Sequence, residues 1–305
     1  MNLVTDSAPF IDFTIINGLI TDKNRYKYMV SLTDSAGNHI CGGSLIAGDL
    51  VLTAAHCRNY FSKVQIGRYD TADSSEQYEE FDINGVVEHP EYDSKYLKYD
   101  FMIAKIKGKS SFPAVKLINK DQNIPEDLTV FGWGVTDANG FPYKGPLLQA
   151  DLEYIPNSQC MDSTGFVDGI YGSYYGLIKD NMMCAYSPNS DACFGDSGGP
   201  LIAKGATDDD DMQVGVVSWG FGCNHPDFPG VYARIDNQID WIQKVACILS
   251  PNDLPDNFKC IKRPGRDSAL DASCTPKRGC EEGFTCINNK CIKDKDKNGR
   301  GRNGK

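Results

Sequence analysis

The sequence predicts an all-β fold, and two observations support this prediction. Short apolar runs recur along most of the chain, and Gly, Pro, Asn and Asp, which favour turns, separate them. Long helical patterns of apolar residues do not intervene, as expected for a sandwich or barrel of short strands. The predicted strands lie within 28–52 and at 64–66, 101–106, 128–131, 200–203 and 214–218.

One helix is predicted near residue 236. Its apolar residues fall largely on one face, Asp236 or Asn237 would cap its start, and Pro251 would end it. The apolar positions are Ile235, Ile239, Trp241, Ile242, Val245 and Leu249.

Two segments are predicted as long surface loops. Residues 160–184 are rich in glycine and tyrosine, and residues 207–211 contain four consecutive aspartates. Such a run of charge is typical of a solvated loop, and binding of calcium or of a basic partner is the alternative.

Length and composition exclude several classes of protein. The 305 residues allow one large domain or two smaller ones, and 41% hydrophobic with 24% charged residues fits neither a disordered nor a fibrous chain. The net charge of −10 argues against nucleic acid as a partner, because a phosphate-binding surface needs clustered Lys and Arg. No apolar run reaches the roughly 18 to 20 residues of a membrane span.

The cysteines indicate an oxidising compartment. There are 12 of them, mostly beside Gly, Asp or turn residues and not in the C-x-x-C pairs that bind zinc, so disulfides and secretion are predicted. Residues 1–14 nevertheless lack the basic start and apolar stretch of a signal peptide. Either the written start is not the biological start, or the signal was trimmed from this sequence.

The chain changes character near residue 250. Six cysteines lie between Cys41 and Cys223, and six more lie between Cys247 and Cys291. From residue 251 onward 13 basic and 8 acidic residues give +5, which leaves −15 for residues 1–250. A separate C-terminal region is therefore predicted.

The segment G-D-S-G-G-P at 195–200 carries the strongest chemical signal. A serine nucleophile needs a base, a carboxylate that orients the base, and N–H donors for the developing oxyanion. Glycines around Ser197 allow a tight turn in which the amides of Gly195 and Ser197 point at one spot. His56 in T-A-A-H-C and Asp100 in D-F-M-I-A are the candidate base and carboxylate. Taken singly, His56 is better explained as a core histidine, Asp100 as a surface aspartate and Ser197 as a turn serine, but the three together are better explained as catalytic residues.

Together these motifs resemble the chymotrypsin-fold serine proteases of the trypsin family over residues 15–249. The resemblance implies two packed six-stranded Greek-key β-barrels with a C-terminal α-helix, plus a small disulfide-rich tail. It rests on I-I-N-G at 15–18, C-G-G-S-L-I at 41–46, T-A-A-H-C at 53–57, D-F-M-I-A at 100–104, G-W-G at 132–134, D-A-C-F-G-D-S-G-G-P at 191–200, V-S-W-G at 217–220 and P-G-V-Y at 229–232.

The resemblance implies a catalytic role for each candidate. His56 would act as general base and then general acid, Asp100 would hold its tautomer, and Ser197 would form the acyl-enzyme. Gly195 and Ser197 would supply the oxyanion hole. No cofactor and no metal is expected.

The resemblance also implies specificity for Arg or Lys before the scissile bond. Asp191 would lie at the floor of the primary pocket, where a shielded carboxylate pairs with a cationic side chain. Gly220 and Gly230 would form its walls. Ser218, Trp219 and Gly220 would pair with the substrate backbone as an added strand.

Activation departs from the family pattern. In the family a cut before Ile15 frees an α-amino group that pairs with the carboxylate of Asp196, so residues 1–14 would be a propeptide-like segment of a zymogen. Most members have Arg or Lys before the cut, whereas this chain has Thr14. A protease of different specificity or another form of regulation is therefore expected.

Further expectations follow from family position. Arg68 stands where a calcium-ligand carboxylate is found in trypsin, so no calcium is expected, and the carboxylates of Asp70, Asp73, Glu76 and Glu79 are predicted to be solvated. The implied disulfides are Cys41 with Cys57, Cys160 with Cys184, and Cys193 with Cys223.

The region after residue 249 is divided into two parts. Residues 250–292 form a cysteine-rich extension that needs disulfides for stability, and its six cysteines, counted with Cys247, allow 15 pairings. It is either a small binding module or a belt around the protease. Residues 293–305 form a basic tail, predicted to be disordered, that either holds the enzyme near acidic glycans or cell surfaces or is an inert terminus.

The sequence therefore predicts a secreted, monomeric serine endopeptidase that cleaves after Arg or Lys. Its expected partners are protein or peptide substrates and protein protease inhibitors. The alternative is a non-catalytic protease homologue that binds partners through its cysteine-rich tail.

Overall fold

The computed structural model describes residues 18–134, 143–192, 195–256, 258, 260, 284–287 and 290–293. Residues Met1–Phe258 form one compact unit, and Lys259–Lys305 form a second. Strands dominate the described part of the first unit, so the prediction of an all-β fold is confirmed.

The first half of this unit is a closed six-stranded barrel. After a short strand β1 (Leu19–Ile20), its strands are β2 (Met29–Thr33), β3 (His39–Ala47), β4 (Leu50–Thr53), β5 (Lys63–Ile66), β6 (Glu79–Glu88) and β7 (Met102–Ile106), closed in the order β2-β3-β4-β7-β6-β5. Strands β2 and β4 are buried along their whole length, and Leu32, Leu45 and Val51 are fully inaccessible to solvent. Such burial on both faces fits the continuous apolar run Leu50–Leu52 in β4, whereas β2 alternates apolar residues with the buried polar residues Ser31 and Thr33.

The second half forms another barrel. Its elements are β8 (Lys116–Leu117), β9 (Asp127–Gly132), β10 (Leu148–Ile155), α1 (Asn157–Cys160), β11 (Thr164–Val167), β12 (Ile170–Ser173), β13 (Met182–Tyr186), β14 (Pro200–Ala203), β15 (Met212–Trp219) and β16 (Gly230–Arg234). The order β10-β13-β16-β15-β14-β9 closes through antiparallel pairing of β9 with β10. Two six-stranded barrels are thus present, as the resemblance implied.

The segment 160–184 was expected to be a loop and is instead partly a hairpin. Strands β11 and β12 pair with each other in antiparallel register, and Asp168 and Gly169 at the turn both have positive φ, of 51° and 80°. An Asp-Gly turn of this kind matches the twist of two flanking strands. The turn signal was present in the sequence, but most of the large apolar residues beside it are exposed, so they give no pattern of burial.

The predicted C-terminal helix is present, with a different start. A 3₁₀ turn at Asp236–Gln238 precedes helix α2 (Ile239–Leu249), which ends two residues before Pro251. Asp236 was expected as a possible cap, but its carboxylate accepts hydrogen bonds from Arg234 and from the backbone N–H of Asn237. Neither predicted residue caps α2, since Gln238 holds the N-cap position without a side-chain hydrogen bond.

The prediction that the aspartate run is solvated was wrong for two of its members. Asp211 is fully buried and accepts hydrogen bonds from Arg25, from the Tyr28 hydroxyl at 2.7 Å and from the Gly205 amide at 2.8 Å. Asp208 also pairs with Arg25. The run lies between β14 and β15, and its carboxylates neutralise the guanidinium of Arg25, which precedes β2.

The second unit contributes one described hairpin. Strand β17 (Phe284–Ile287) pairs with β18 (Lys290–Lys293), with Cys286 opposite Cys291. Most of the predicted cysteine-rich extension and all of the basic tail after Lys293 lie outside the described residues. Within the described residues, no helix is both long and apolar enough to cross a membrane.

Candidate active site

A buried carboxylate holds one histidine in place. Asp100, directly before β7, is fully inaccessible to solvent, and its Oδ2 lies 2.7 Å from His56 Nδ1. Its Oδ1 accepts the backbone N–H of His56 at 2.9 Å, and the Ser218 hydroxyl donates to Oδ2 at 2.6 Å. These contacts place the proton of the neutral imidazole on Nδ1, which leaves Nε2 as a proton acceptor.

The backbone around both residues is locally constrained. His56 lies in a 3₁₀ turn (Ala55–Cys57) that follows β4. Leu97 and Tyr99 adopt left-handed conformations, with φ of 50° and 53°, and the Phe101 amide donates to the Tyr99 carbonyl at 2.7 Å. Asp100 thus lies in a tight turn that aims its side chain inward, an arrangement that side-chain composition alone does not predict.

The turn that carries Ser197 packs against the segment around His56. The Ser197 carbonyl accepts the Gly42 amide at 2.8 Å and lies 3.7 Å from Cys57 Sγ. Gly198 has φ of 80°, and a Cβ there would lie only 2.2 Å from Thr53 Oγ1, so glycine is required. Among the described residues no hydrogen bond joins His56 to Ser197; in proteases without substrate this contact is often long.

Sequence analysis missed His39 as a residue of this site. Its Nε2 lies 2.8 Å from the Gly195 carbonyl, and its Nδ1 lies 2.7 Å from Ser31 Oγ. Burial lowers the pKa of His39 to about 4, so the ring is neutral at pH 7. A neutral ring that donates from Nε2 and accepts at Nδ1 fixes the peptide after Gly195. The available signal was only that His39 is one of four histidines and precedes C-G-G-S.

Asp196, next to the serine, is also fully buried. Its Oδ1 accepts the Gly134 amide at 2.8 Å, and a Cβ on Gly132 would lie 1.9 Å from the same oxygen. The glycines of G-W-G therefore allow close approach of this carboxylate. Ile15, its predicted partner, lies outside the described residues, so their ion pair stays a prediction.

Asp191, the predicted floor of the primary pocket, is buried. It is 7% exposed, its Oδ2 accepts the Asn224 amide at 2.9 Å, and a Cβ on Gly230 would lie 3.2 Å from its Oδ1. Burial raises the pKa of Asp191 to about 6, against the opposing effect of hydrogen bonds from the backbone of Asn224 and Ala192. Among the described residues no Lys, Arg or His forms an ion pair with this carboxylate. Asp191 is thus a buried acid without a cationic partner among the described residues.

Of the remaining predicted pocket residues, Gly230 contacts Asp191. Gly220 lies beside Gly230, since a Cβ on Gly220 would lie 3.9 Å from the Gly230 Cα. Trp219 ends strand β15, and its ring packs edge-on against Tyr174 with centroids 5.2 Å apart. The structure therefore brings Gly220 close to Gly230 and Gly230 close to Asp191, and it ties Ser218 to Asp100.

Two of the three implied disulfides are confirmed, namely Cys41 with Cys57 and Cys160 with Cys184. The first closes a separation of 16 residues, a constraint worth about 3 kcal/mol in the chain-entropy account. Cys223 is disulfide-bonded, but Cys193 lies outside the described residues, so their pairing stays a prediction. Cys247 and Cys260 are also disulfide-bonded.

The loop after β5 carries its own cation. The Arg68 guanidinium donates to the Gln65 side chain and to the Thr71 carbonyl at 3.0 Å. Solvation was expected for the neighbouring carboxylates, yet Glu76 accepts the backbone amides of Tyr69 and Asp70. Glu79, likewise expected in water, accepts hydrogen bonds from Ser110 and Ser111. Cys41 and Cys57 approach His56, but their disulfide removes the thiolates that a metal would need.

Comparisons with known proteins agree with this geometry. The family model described as Trypsin matches residues 15–242. The chain is 35% identical over 246 residues to trypsin epsilon of Drosophila erecta, covering 78% of this chain and 90% of that protein. It is 36% identical over 242 residues to anionic trypsin of Canis lupus familiaris, covering 76% and 89%, and 34% identical over 248 residues to serine protease 1 of Homo sapiens, covering 78% and 92%. The chain therefore belongs to the trypsin family of serine proteases.

Proposed function

We propose that this chain is a secreted serine endopeptidase that hydrolyses peptide bonds after Arg or Lys through an acyl-enzyme intermediate. The observation that carries the proposal is the buried Asp100 carboxylate, which holds the imidazole of His56 beside the Ser197 turn. A core histidine with no chemical task would not need a second buried donor, Ser218, on the same carboxylate.

The chemistry assigns one proton transfer to each step. His56 Nε2 accepts the proton of Ser197 Oγ as this oxygen bonds to the substrate carbonyl carbon, and the carbonyl oxygen becomes negative. His56 then gives the proton to the leaving amine as the C–N bond breaks, and water repeats the sequence on the acyl-enzyme. Asp100 stabilises the imidazolium formed between these transfers.

The amides of Gly195 and Ser197 would stabilise the oxyanion. One such donor contributes roughly 10²- to 10³-fold to kcat in enzymes of this chemistry. The bond between His39 and the Gly195 carbonyl supports the assignment, because it restricts the backbone of this turn.

Specificity for Arg or Lys is proposed on the surroundings of Asp191. A carboxylate that is buried with only backbone donors is stabilised when a substrate cation enters the primary pocket. Gly220 and Gly230 would leave the entrance open, and Ser218, Trp219 and Gly220 would pair with the substrate backbone.

We propose that residues 1–14 are a propeptide-like segment and that cleavage after Thr14 activates the enzyme. The new amino group of Ile15 would pair with Asp196, whose burial is consistent with a charged partner. Residues 15–249 would be the protease domain, 250–292 the cysteine-rich extension and 293–305 a basic tail. The disulfides support secretion.

The test is a burst experiment on protein cut at an engineered site before Ile15. A peptide ester ending in Arg should give a rapid release of one alcohol equivalent per enzyme, followed by slower turnover. Ser197→Ala should abolish both phases, whereas Ser75→Ala, an exposed turn serine, should change neither. Folded, cleaved protein that hydrolyses no ester or amide would overturn the proposal and favour a binding role.

A further inference from the structure

The segment 166–175 concentrates exposed apolar side chains. Phe166 is 65% exposed and Tyr171 is 62% exposed, although both lie in the regular strands β11 and β12. Contiguous exposed apolar groups mark interaction surfaces more often than they mark neutral surface. The four large apolar residues of this segment that are exposed are Phe166, Ile170, Tyr171 and Tyr175.

The hairpin is attached to the protease through its other face. Phe166 and Tyr171 are directly opposite each other, so they share one face, and their rings lie 5.6 Å apart. The next pair, Gly165 and Gly172, faces the opposite way. A Cβ on Gly165 would lie 2.4 Å from Asp227, so the packing leaves no room for a side chain at this position.

Two further contacts hold the hairpin by the face that carries Gly165 and Gly172. A Cβ on Gly172 would lie 3.1 Å from the Phe221 ring and 3.2 Å from the Phe228 ring. His225 Nε2 lies 3.1 Å from the Phe166 carbonyl. Because these contacts hold the hairpin by its inner face, Phe166 and Tyr171 are presented outward on a fixed support.

The aromatic residues beneath the hairpin, Phe221 and Phe228, connect it to the candidate substrate cleft. Phe221 and Phe228 pack against each other at 5.2 Å, and Phe221 packs against Trp219 at 5.9 Å. Trp219 follows Ser218, which is bonded to Asp100. An unbroken aromatic cluster therefore runs from the edge that would pair with substrate to the base of the hairpin.

We propose that the outward face of the hairpin, formed by Phe166 and Tyr171, is a docking surface for the protein substrate itself. It binds an apolar segment that lies N-terminal to the scissile bond, since in the proposed function the residue before that bond reaches Asp191 and the preceding residues pair with the 218–220 edge. The inference rests on the proposed function and adds a substrate class: chains with an apolar stretch upstream of Arg or Lys.

Charge favours a substrate over a second copy of the chain as the occupant. Asp168 forms the tip of the hairpin and Asp227 contacts its base, and residues 1–250 carry a net charge of −15. Two such acidic surfaces repel each other, whereas a substrate that supplies Lys or Arg is attracted.

The test is a coupling experiment between enzyme and substrate. Arg-terminated peptide amides would carry an upstream Leu-Leu or Ser-Ser pair placed four, six or eight residues before the scissile bond. With wild-type enzyme, one Leu-Leu peptide should be cleaved with a kcat/KM about tenfold above its Ser-Ser counterpart, mainly through KM, as a well-packed apolar contact predicts. Phe166→Thr/Tyr171→Thr, which keeps residues suited to strands, should remove this preference.

A tripeptide amide and a control variant separate the possible causes. The tripeptide should be cleaved equally by wild-type and double variant, and Leu19→Thr, at a strand residue of 67% exposure, should keep the Leu-Leu preference. If neither the wild-type enzyme nor any variant cleaved the tripeptide, the proposed function, and not the docking proposal alone, would be refuted. Equal loss on all substrates, no Leu-Leu preference in wild-type, or a concentration-dependent dimer abolished by the double variant would each overturn the docking proposal.

Discussion

Two buried aspartates of the second half of the protease unit, Asp211 and Asp191, have opposite surroundings. Asp211 is inaccessible to solvent and receives the Arg25 guanidinium, the Tyr28 hydroxyl and a backbone amide. Asp191 is 7% exposed and, among the described residues, receives hydrogen bonds only from backbone amides. Removing a carboxylate from water is costly unless a cation and hydrogen bonds replace the water.

The difference distinguishes Asp211, whose charge is neutralised within the protein, from Asp191, whose charge has no cationic partner among the described residues. The cation of Asp211 belongs to the protein, so this pair connects the segment before β2 with the β14–β15 loop. The carboxylate of Asp191 has a raised pKa of about 6, which indicates that its surroundings do not fully stabilise its charge. A ligand cation would supply the missing stabilisation of this charge, which supports the proposed selectivity for Arg and Lys.

The largest expected effect is the loss of activity in the variant Asp191→Asn. Removing the carboxylate should lower kcat/KM for an Arg peptide amide about 10³-fold, because a shielded ion pair with substrate is lost. The free energy of unfolding should stay the same or rise, since an uncompensated buried charge is removed. Asp211→Asn is the matched control, with the reverse pattern expected: reduced stability and unchanged preference for Arg. Equal effects of both variants on specificity would contradict the comparison.

The next effect concerns the partner of Asp211. Arg25→Met should reduce the free energy of unfolding by about 3 to 5 kcal/mol, because the buried Asp211 would be left without its cation. Arg58→Met breaks the half-exposed pair with Glu88 and should cost less than about 1 kcal/mol. Denaturant unfolding of both variants measures the difference. Similar losses in the two would show that burial does not distinguish the pairs.

A smaller effect concerns the pH dependence of stability through His39. The pKa of His39 is about 4 in the folded protein and about 6.5 when unfolded. At pH values between these two, the imidazole is therefore protonated in the unfolded chain and neutral in the folded protein. Stability should therefore rise with pH across this interval, by up to about 3 kcal/mol from this residue. His39→Gln should flatten that part of the profile in denaturant titrations. An unchanged slope would mean that His39 is protonated in the folded state.

Continuous apolar runs predict buried strands such as β4, but burial alone does not suffice, since β13 was missed although four of its five residues are buried. Strand β6 has no fully buried residue, so its apolar pattern is weak. The hairpin β11–β12 was also missed, because glycines form one of the two residue pairs on its inner face and its aromatic residues point outward. For β6 and the hairpin the cause is the same: the apolar pattern that reveals a strand reflects the burial of its side chains.

The candidate site was predicted from motifs, and the structure adds contacts between distant segments. Ser218 and Asp100 are 118 residues apart, and His39 and Gly195 are 156 residues apart. Arg25 and Asp211 are likewise distant, so the acidic run was taken as solvated although its counter-ion lies near the start of the chain. Partners brought together by barrel closure leave no local signal in the sequence.

The most direct measurement is calorimetric binding of a small aromatic amidinium ion to activated Ser197→Ala protein, in buffers of different ionisation enthalpy. If the amidinium ion pairs with Asp191, binding lowers the pKa of this carboxyl group from about 6. About half a proton per site is then released at pH 6 and almost none at pH 8. Adding Asp191→Asn should abolish this release and weaken binding. Tight binding with no proton release at pH 6, unchanged by Asp191→Asn, would contradict the account.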